Sequence, residues 1–145
     1  MTDLPETNLT MLTLVKPEGQ LEVSLERRPM PVPQPHEVLV KVLAAPINPS
    51  DLGLLFGGAD MSTARASTRD GQPLITAEVP PAGMRAMAGR VGDALAIGNE
   101  GCGTVVAAGD TPEAQALLGK TVALLGGEMY AEYRCLPVQM TMPLP

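Results

Sequence analysis

The sequence predicts a mainly β domain with a few short helices, and three observations carry that expectation. Fifteen glycines and fifteen prolines punctuate 145 residues, a density that implies many turns without reaching the level of a disordered chain. Several of the intervals between them hold β-branched runs or apolar–polar alternation of strand length. The chain has one Phe, two Tyr and no Trp, so its core must be assembled from Leu, Val, Ala, Ile and nine Met. At this length a single domain buries most of the surface its unfolded chain exposes.

The elements follow in order. Leu9 to Lys16 reads as a first strand, and Gly19 marks a turn. Leu21, Val23 and Leu25 then alternate with Glu22, Ser24 and Glu26, the pattern of a strand with one face in water. Together these form a hairpin. Pro29, Pro31, Pro33 and Pro35 hold the next stretch extended as a stiff connector. Val38 to Ala45 has the β-branched content of a central strand. Pro49 suits the first turn of a helix, and Ser50 and Asp51 suit its positive end, which predicts a helix over Pro49 to Phe56 stopped by Gly57 and Gly58. From Ala59 to Ile97 the pattern weakens, with a short helix near Ala82 to Ala88. Gly103 to Ala108 is a strand, and Thr111 caps a helical turn over Pro112 to Leu118. Thr121 to Leu125 is a buried strand and Met129 to Leu136 the last one, leaving Met142 to Pro145 without a closing element.

A net charge of −6 without a basic stripe argues against a nucleic-acid partner. No apolar run approaches the roughly 18 residues of a membrane span, and the polar, acidic start lacks a secretory signal. Cys102 and Cys135 form no metal-binding or redox motif, and a reduced, cytoplasmic protein is the simplest expectation.

Two polar segments beside apolar runs stand out: Ala44-Ala45-Pro46-Ile47-Asn48-Pro49-Ser50-Asp51 and Gly98-Asn99-Glu100-Gly101-Cys102-Gly103. Asn48 and Asp51 can cap a helix and brace a turn, or serve a site. Glu100 reads first as a carboxylate bonding backbone amides in a Gly-rich bend. Packing is the first reading for Tyr130 and Tyr133, and core filling for both cysteines. The glycines from Gly98 to Gly103 lack dinucleotide spacing and lead into a strand rather than a helix.

With Pro35-His36-Glu37-Val38-Leu39-Val40-Lys41-Val42 before them and Met129-Tyr130-Ala131-Glu132-Tyr133 after, these segments resemble the N-terminal GroES-like domain of the medium-chain dehydrogenase/reductase superfamily. The resemblance implies a partly open β-barrel spanning residues 1–145, interrupted by an inserted segment at 59–97. Zinc-dependent members carry Cys and His at the positions that Asn48 and Asn99 occupy here. Carboxamides are poor zinc ligands, so the expectation is no metal site and no zinc. The motifs look most like the quinone oxidoreductases and 2-enoyl thioester reductases, which pass hydride from NADPH to a quinone or a conjugated carbonyl.

That resemblance makes Asn48 and Asp51 the candidate catalytic residues and Asn48 and Tyr130 the candidate cofactor contacts. Enoyl reductases carry a Tyr shortly after the Asn motif, where this chain has Phe56-Gly57-Gly58-Ala59. This favours the quinone branch and leaves the proton donor unassigned. The family's Rossmann cofactor domain is absent from these residues, which suggests a fragment of a homodimeric enzyme that is inactive alone. A non-catalytic GroES-like binding or assembly module is the alternative. The inserted segment is expected to be a lid or specificity loop whose Arg65, Arg69, Arg85 and Arg90 receive an anionic substrate group, or else a surface elaboration or dimer contact.

Overall fold

A computed structural model describes residues 3–145. In chain order the elements are β1 (Thr7–Lys16), β2 (Gln20–Pro29), β3 (Glu37–Ala44), α1 (Pro49–Phe56), β4 (Asp60–Arg69), β5 (Gln72–Glu78) and α2 (Pro81–Ala86). After them come β6 (Leu95–Ala96), β7 (Glu100–Ala108), α3 (Pro112–Gln115), β8 (Thr121–Leu125), β9 (Tyr133–Pro137) and β10 (Thr141–Pro143). Among the described residues the strands form two five-stranded sheets, ordered β4-β5-β2-β1-β6 and β10-β8-β7-β3-β9. Neither sheet closes on itself, so the fold is mainly β with a few short helices but contains no closed barrel. No helix among the described residues is long and apolar enough to cross a membrane.

The chain divides into two compact units. The first comprises residues 3–10, Arg27–Pro46 and Gly98–Pro145. Its centre is β3, whose Val38, Leu39 and Val40 are completely buried, as the β-branched run anticipates. β3 pairs antiparallel with β7 on one side and β9 on the other. Val38, Val40, Val105, Val122, Leu124 and Leu136 pack with Ala114 and Leu117 of the α3 region into one apolar cluster. α3 is started by Thr111, whose hydroxyl accepts the Ala114 N–H at 3.3 Å. The prolines between β2 and β3 leave the expected extended connector, anchored where Met30 N–H meets Glu6 O at 2.9 Å.

Two expectations for this unit are corrected. The last long strand starts at Tyr133 rather than Met129, because the Met129 N–H is taken by Gly98 O and the Glu132 N–H by Leu9 O, and ladder pairing with β3 begins only at Tyr133. The chain also does have a closing element: β10 pairs antiparallel with β8, with Met142 opposite Ala123.

The second unit comprises Met11–Glu26 and Ile47–Ile97. The segment at 59–97 is folded into β4, β5, α2 and β6. Asp70 and Gly71 both adopt positive φ, the requirement of a two-residue hairpin turn, and they join β4 to β5. β5 then pairs with β2 over five residues, extending that sheet. α2 crosses the exit of α1 where Gly58 meets Gly83, and a Cβ on either glycine would collide with the other's backbone. β6 completes the sheet by pairing with β1.

The hairpin is fastened by a buried carboxylate. Glu22 is 4% exposed, and its Oε1 receives Lys16 Nζ at 2.6 Å and Arg69 Nη2 at 2.9 Å. Burial pushes the Glu22 carboxyl up, but the hydrogen bonds and charges of Arg69 and Lys16 outweigh it and hold the group below the ordinary carboxylate range. A depressed folded-state pKa contributes stability above the unfolded value, near pH 4.3, which is lost as pH falls through the folded value. Glu22→Gln is therefore expected to destabilise the protein by about 1–3 kcal/mol at neutral pH. Urea denaturation across pH should show this difference shrinking in acid, and a constant difference would count against the latch.

Candidate functional site

α1 is built around its first turn. Asn48 is the N-cap in extended conformation, φ −92° and ψ 159°, and Pro49 follows at the first helical position, where a missing N–H costs nothing. Asp51 is completely buried, and its Oδ2 accepts the Asn48 backbone N–H at 2.9 Å. The Asp51 N–H in turn donates to Asn48 O at 2.9 Å. The helix-capping role weighed for Asn48 and Asp51 is thus real. It also makes Asn48, half-buried, a carboxamide carried on a fixed backbone.

The Gly-rich segment belongs to the first unit. Gly98 takes φ +109°, a conformation that favours glycine, and its carbonyl accepts the Met129 N–H at 3.1 Å. Asn99 O lies 3.4 and 3.5 Å from the N–H groups of Gly126 and Gly127. Arg134 braces that loop, donating from Nε to Gly127 O at 2.8 Å and from Nη2 to Gly126 O at 3.1 Å. It also pairs with Glu128 at 3.4 Å. Glu100 opens β7, so these glycines lead into a strand and do not form the helix-terminal pyrophosphate site of a dinucleotide fold.

Tyr130 lies in the bend before β9, half-buried, and its hydroxyl donates to Pro46 O at 2.9 Å. The structure therefore brings Asn48 and Asp51 together in one unit and places Tyr130 and Asn99 in the other. The first unit also carries an apolar groove of about 700 Å³ lined by Ala44, Pro46, Gly101, Cys102, Leu125 and Met142.

The arginines expected to await an anion are partly committed elsewhere. Arg69 holds Glu22, and Arg90 donates to Leu54 O and to Thr13 Oγ1. Arg65 lines a small polar pocket with Gln20, Thr63, Thr76 and Glu78, and Arg85 is exposed on α2. Sequence reasoning missed the structural parts played by Thr13, Arg90 and Arg134. For Thr13 one signal was present, a hydroxyl in the middle of an apolar strand; for the arginines there was none.

Among the described residues no group of three or more His, Cys, Asp or Glu is placed to hold a metal ion. The donor set does not fit zinc: Asn48 and Asn99 offer carboxamides, and the Asp51 carboxylate is taken up by the helix start. Cys135 donates its thiol to Glu37 Oε2 at 3.4 Å.

The family model of the alcohol dehydrogenase GroES-like domain matches residues 34–145. No curated protein sequence matches the chain. Among solved structures, the chain is similar over 99% of its length to a provisionally assigned NADPH:quinone reductase of Mesorhizobium loti, at 28% identity and a TM-score of 0.59. A provisionally assigned NADPH:quinone reductase of Bacillus thuringiensis is similar over 95% of the chain, at 25% identity and a TM-score of 0.60. A mutant enoyl thioester reductase of Candida tropicalis shares the fold over 96% of the chain, at 22% identity and a TM-score of 0.55. The chain spans 38%, 34% and 34% of the lengths of these three proteins.

Burial, and then the hydrogen bond and charge of Glu37, push the Cys135 thiol up to about 12. The thiolate is the reactive form, so Cys135 should resist alkylation in the folded protein at mildly alkaline pH and react only after urea is added. Mass spectrometry of iodoacetamide-treated protein checks this. Labelling of Cys135 at equal rates with and without urea would contradict it.

Proposed function

The chain belongs to the alcohol dehydrogenase GroES-like domain family of the medium-chain dehydrogenase/reductase superfamily, and from that premise we propose that it is the substrate-side domain of a zinc-independent, NAD(P)H-dependent oxidoreductase. The reaction is hydride transfer from nicotinamide to a quinone or an α,β-unsaturated carbonyl. The observation that carries this reading is the Asn48–Asp51 pair. A buried carboxylate spends its hydrogen bonding on the N-cap backbone, so the residue presented at the motif position is a neutral amide on a fixed helix start. Similarity to two NADPH:quinone reductases at 28% and 25% identity supports the acceptor class.

In this reading the cofactor supplies the hydride, and its nucleotide is held by a Rossmann domain outside these residues. The chain's own part is to position the acceptor. Asn48 donates an amide N–H to the acceptor carbonyl oxygen, where negative charge develops, and a fixed donor at that point stabilises the transition state more than the ground state. Asp51 acts through Asn48 by holding its backbone. Tyr130, restrained by Pro46, is the residue of the first unit that would contact the cofactor. The enzyme works as a soluble cytoplasmic homodimer.

Asn48→Ala in the full-length protein is expected to lower kcat for NADPH-dependent reduction of 1,4-benzoquinone by about 100-fold, the usual cost of one oxyanion donor. The zinc chelator 1,10-phenanthroline should leave wild-type activity unchanged. Steady-state kinetics measure both, and wild-type kcat in Asn48→Ala or inhibition by the chelator would overturn the reading.

A further inference from the structure

An α-helix leaves its last four carbonyls without intrahelical partners, and in α1 every one of them is accounted for. Two are met by the chain's own exit: Gly57 N–H donates to Gly53 O and Ala59 N–H to Phe56 O, each at 3.0 Å. The other two are met by side chains from outside the helix. Arg90 Nη1 donates to Leu54 O at 2.6 Å, and Thr13 Oγ1 donates to Leu55 O at 2.7 Å. Arg90 Nη2 ties these together by donating to Thr13 Oγ1 at 3.2 Å. Thr13 is completely buried on β1, a rigid point of attachment.

Arg90 closes a 3-10 turn over Ala88–Arg90, and its N–H donates to Met87 O at 3.0 Å. The helix has no basic residue in its own last turn, so Arg90 supplies the positive charge that the negative end of its dipole favours. Both hydrogen bonds of the guanidinium run toward α1 and Thr13, while its buried Nε makes none. The side chain is spent on holding this helix end.

From this accounting we propose that Arg90, together with Thr13, is a positioning residue that sets the place of Asn48 through α1. The proposal rests on the role of Asn48 in acceptor binding. The helix is eight residues long, about 12 Å, and Asn48 caps the end opposite the clamp. A tilt of about 5° at the clamped end moves the N-cap by about 1 Å over that length. A displacement of about 1 Å at a reacting group costs about 100-fold in rate. Loosening Arg90 therefore acts on the acceptor site without touching it.

Steady-state kinetics of the full-length protein with NADPH and 1,4-benzoquinone test this, comparing Arg90→Ala, Arg90→Lys, Thr13→Val and Asn48→Ala. Arg90→Ala is expected to lower kcat by about 10- to 100-fold with the KM for NADPH unchanged. Arg90→Lys keeps a cation within reach of one carbonyl but loses the fork, and should recover most of the loss. Thr13→Val, of the same shape without the hydroxyl, should lower kcat as Arg90→Ala does. A lowered melting temperature with unchanged kcat per folded molecule in Arg90→Ala and Thr13→Val means a purely structural clamp and overturns the proposal. If Asn48→Ala alone loses activity, the inference falls while the reading of Asn48 stands; if Asn48→Ala keeps wild-type kcat, both fall. Should Arg90→Ala fail to fold, Thr13→Val carries the same comparison.

Discussion

A two-turn helix has little reason to exist in water, because nucleation fixes several residues for very few hydrogen bonds. α1 persists because both of its ends are satisfied, the start by its own third residue and the finish by groups held elsewhere in its unit. At the start, the fully buried Asp51 accepts the Asn48 N–H. At the finish, Thr13 and Arg90 take the two carbonyls that the backbone leaves open. Thr13 lies on β1 and Arg90 on a turn after α2, so the helix joins parts of the chain distant in sequence. Without that bracing, the segment carrying Asn48 would be a loop. With it, the side chain most central to the proposed chemistry stands at the start of a helix braced at both ends.

The first unit meets a similar need with backbone and one cation. The bend that carries Gly98 and Asn99 has no helix to lean on, so its carbonyls are met by the N–H groups of Gly126, Gly127 and Met129. That loop exposes its own carbonyls in return, and Arg134 collects those of Gly126 and Gly127, together with that of Cys135 on β9, with one guanidinium. An Arg fork suits this work because its five donors lie in a fixed plane. In both units, then, an arginine donates to backbone carbonyls. Charge alone does not reveal such a role, since the partner is a main-chain atom that every residue possesses.

This explains which parts of the molecule were legible in the sequence. α1 runs from Pro49 to Phe56 as expected, because its start and stop are local: a cap, a proline at the first position, a pair of glycines. β3 and β8 were legible because central strands concentrate β-branched residues. The β4–β5 hairpin was missed although Asp70-Gly71 is a strong local turn signal. β4 is exposed along nearly all its length, so its Ser, Thr, Ala and Arg residues show no apolar alternation to mark a strand. β10 depends on its partner β8, and the Thr13–Arg90 bond spans 77 positions. Neither leaves a trace in the local pattern. Asp51, which holds the Asn48 backbone, sits within its motif and could be read locally, whereas Thr13 and Arg90, which reach the far end of α1 from distant positions, could not.

Two buried carboxylates show how differently one sheet-based unit can handle the same cost. Glu22 and Asp51 are 4% and 0% exposed, and a buried charge needs full compensation. Glu22 is answered by cations, with Lys16 and Arg69 sharing one oxygen, and both reach it from partly exposed positions. Asp51 is answered by an amide N–H at a helix start, where the partial charges are fixed in the backbone and no side-chain entropy is lost in aligning them. The first arrangement yields to acid and to the movement of two long side chains. The second fails only if α1 itself unravels. A carboxylate that supports a site is better placed in the second kind of environment, because the geometry it maintains is then no more mobile than the helix. That physical difference separates Asp51, which serves the proposed site, from Glu22, which fastens a hairpin.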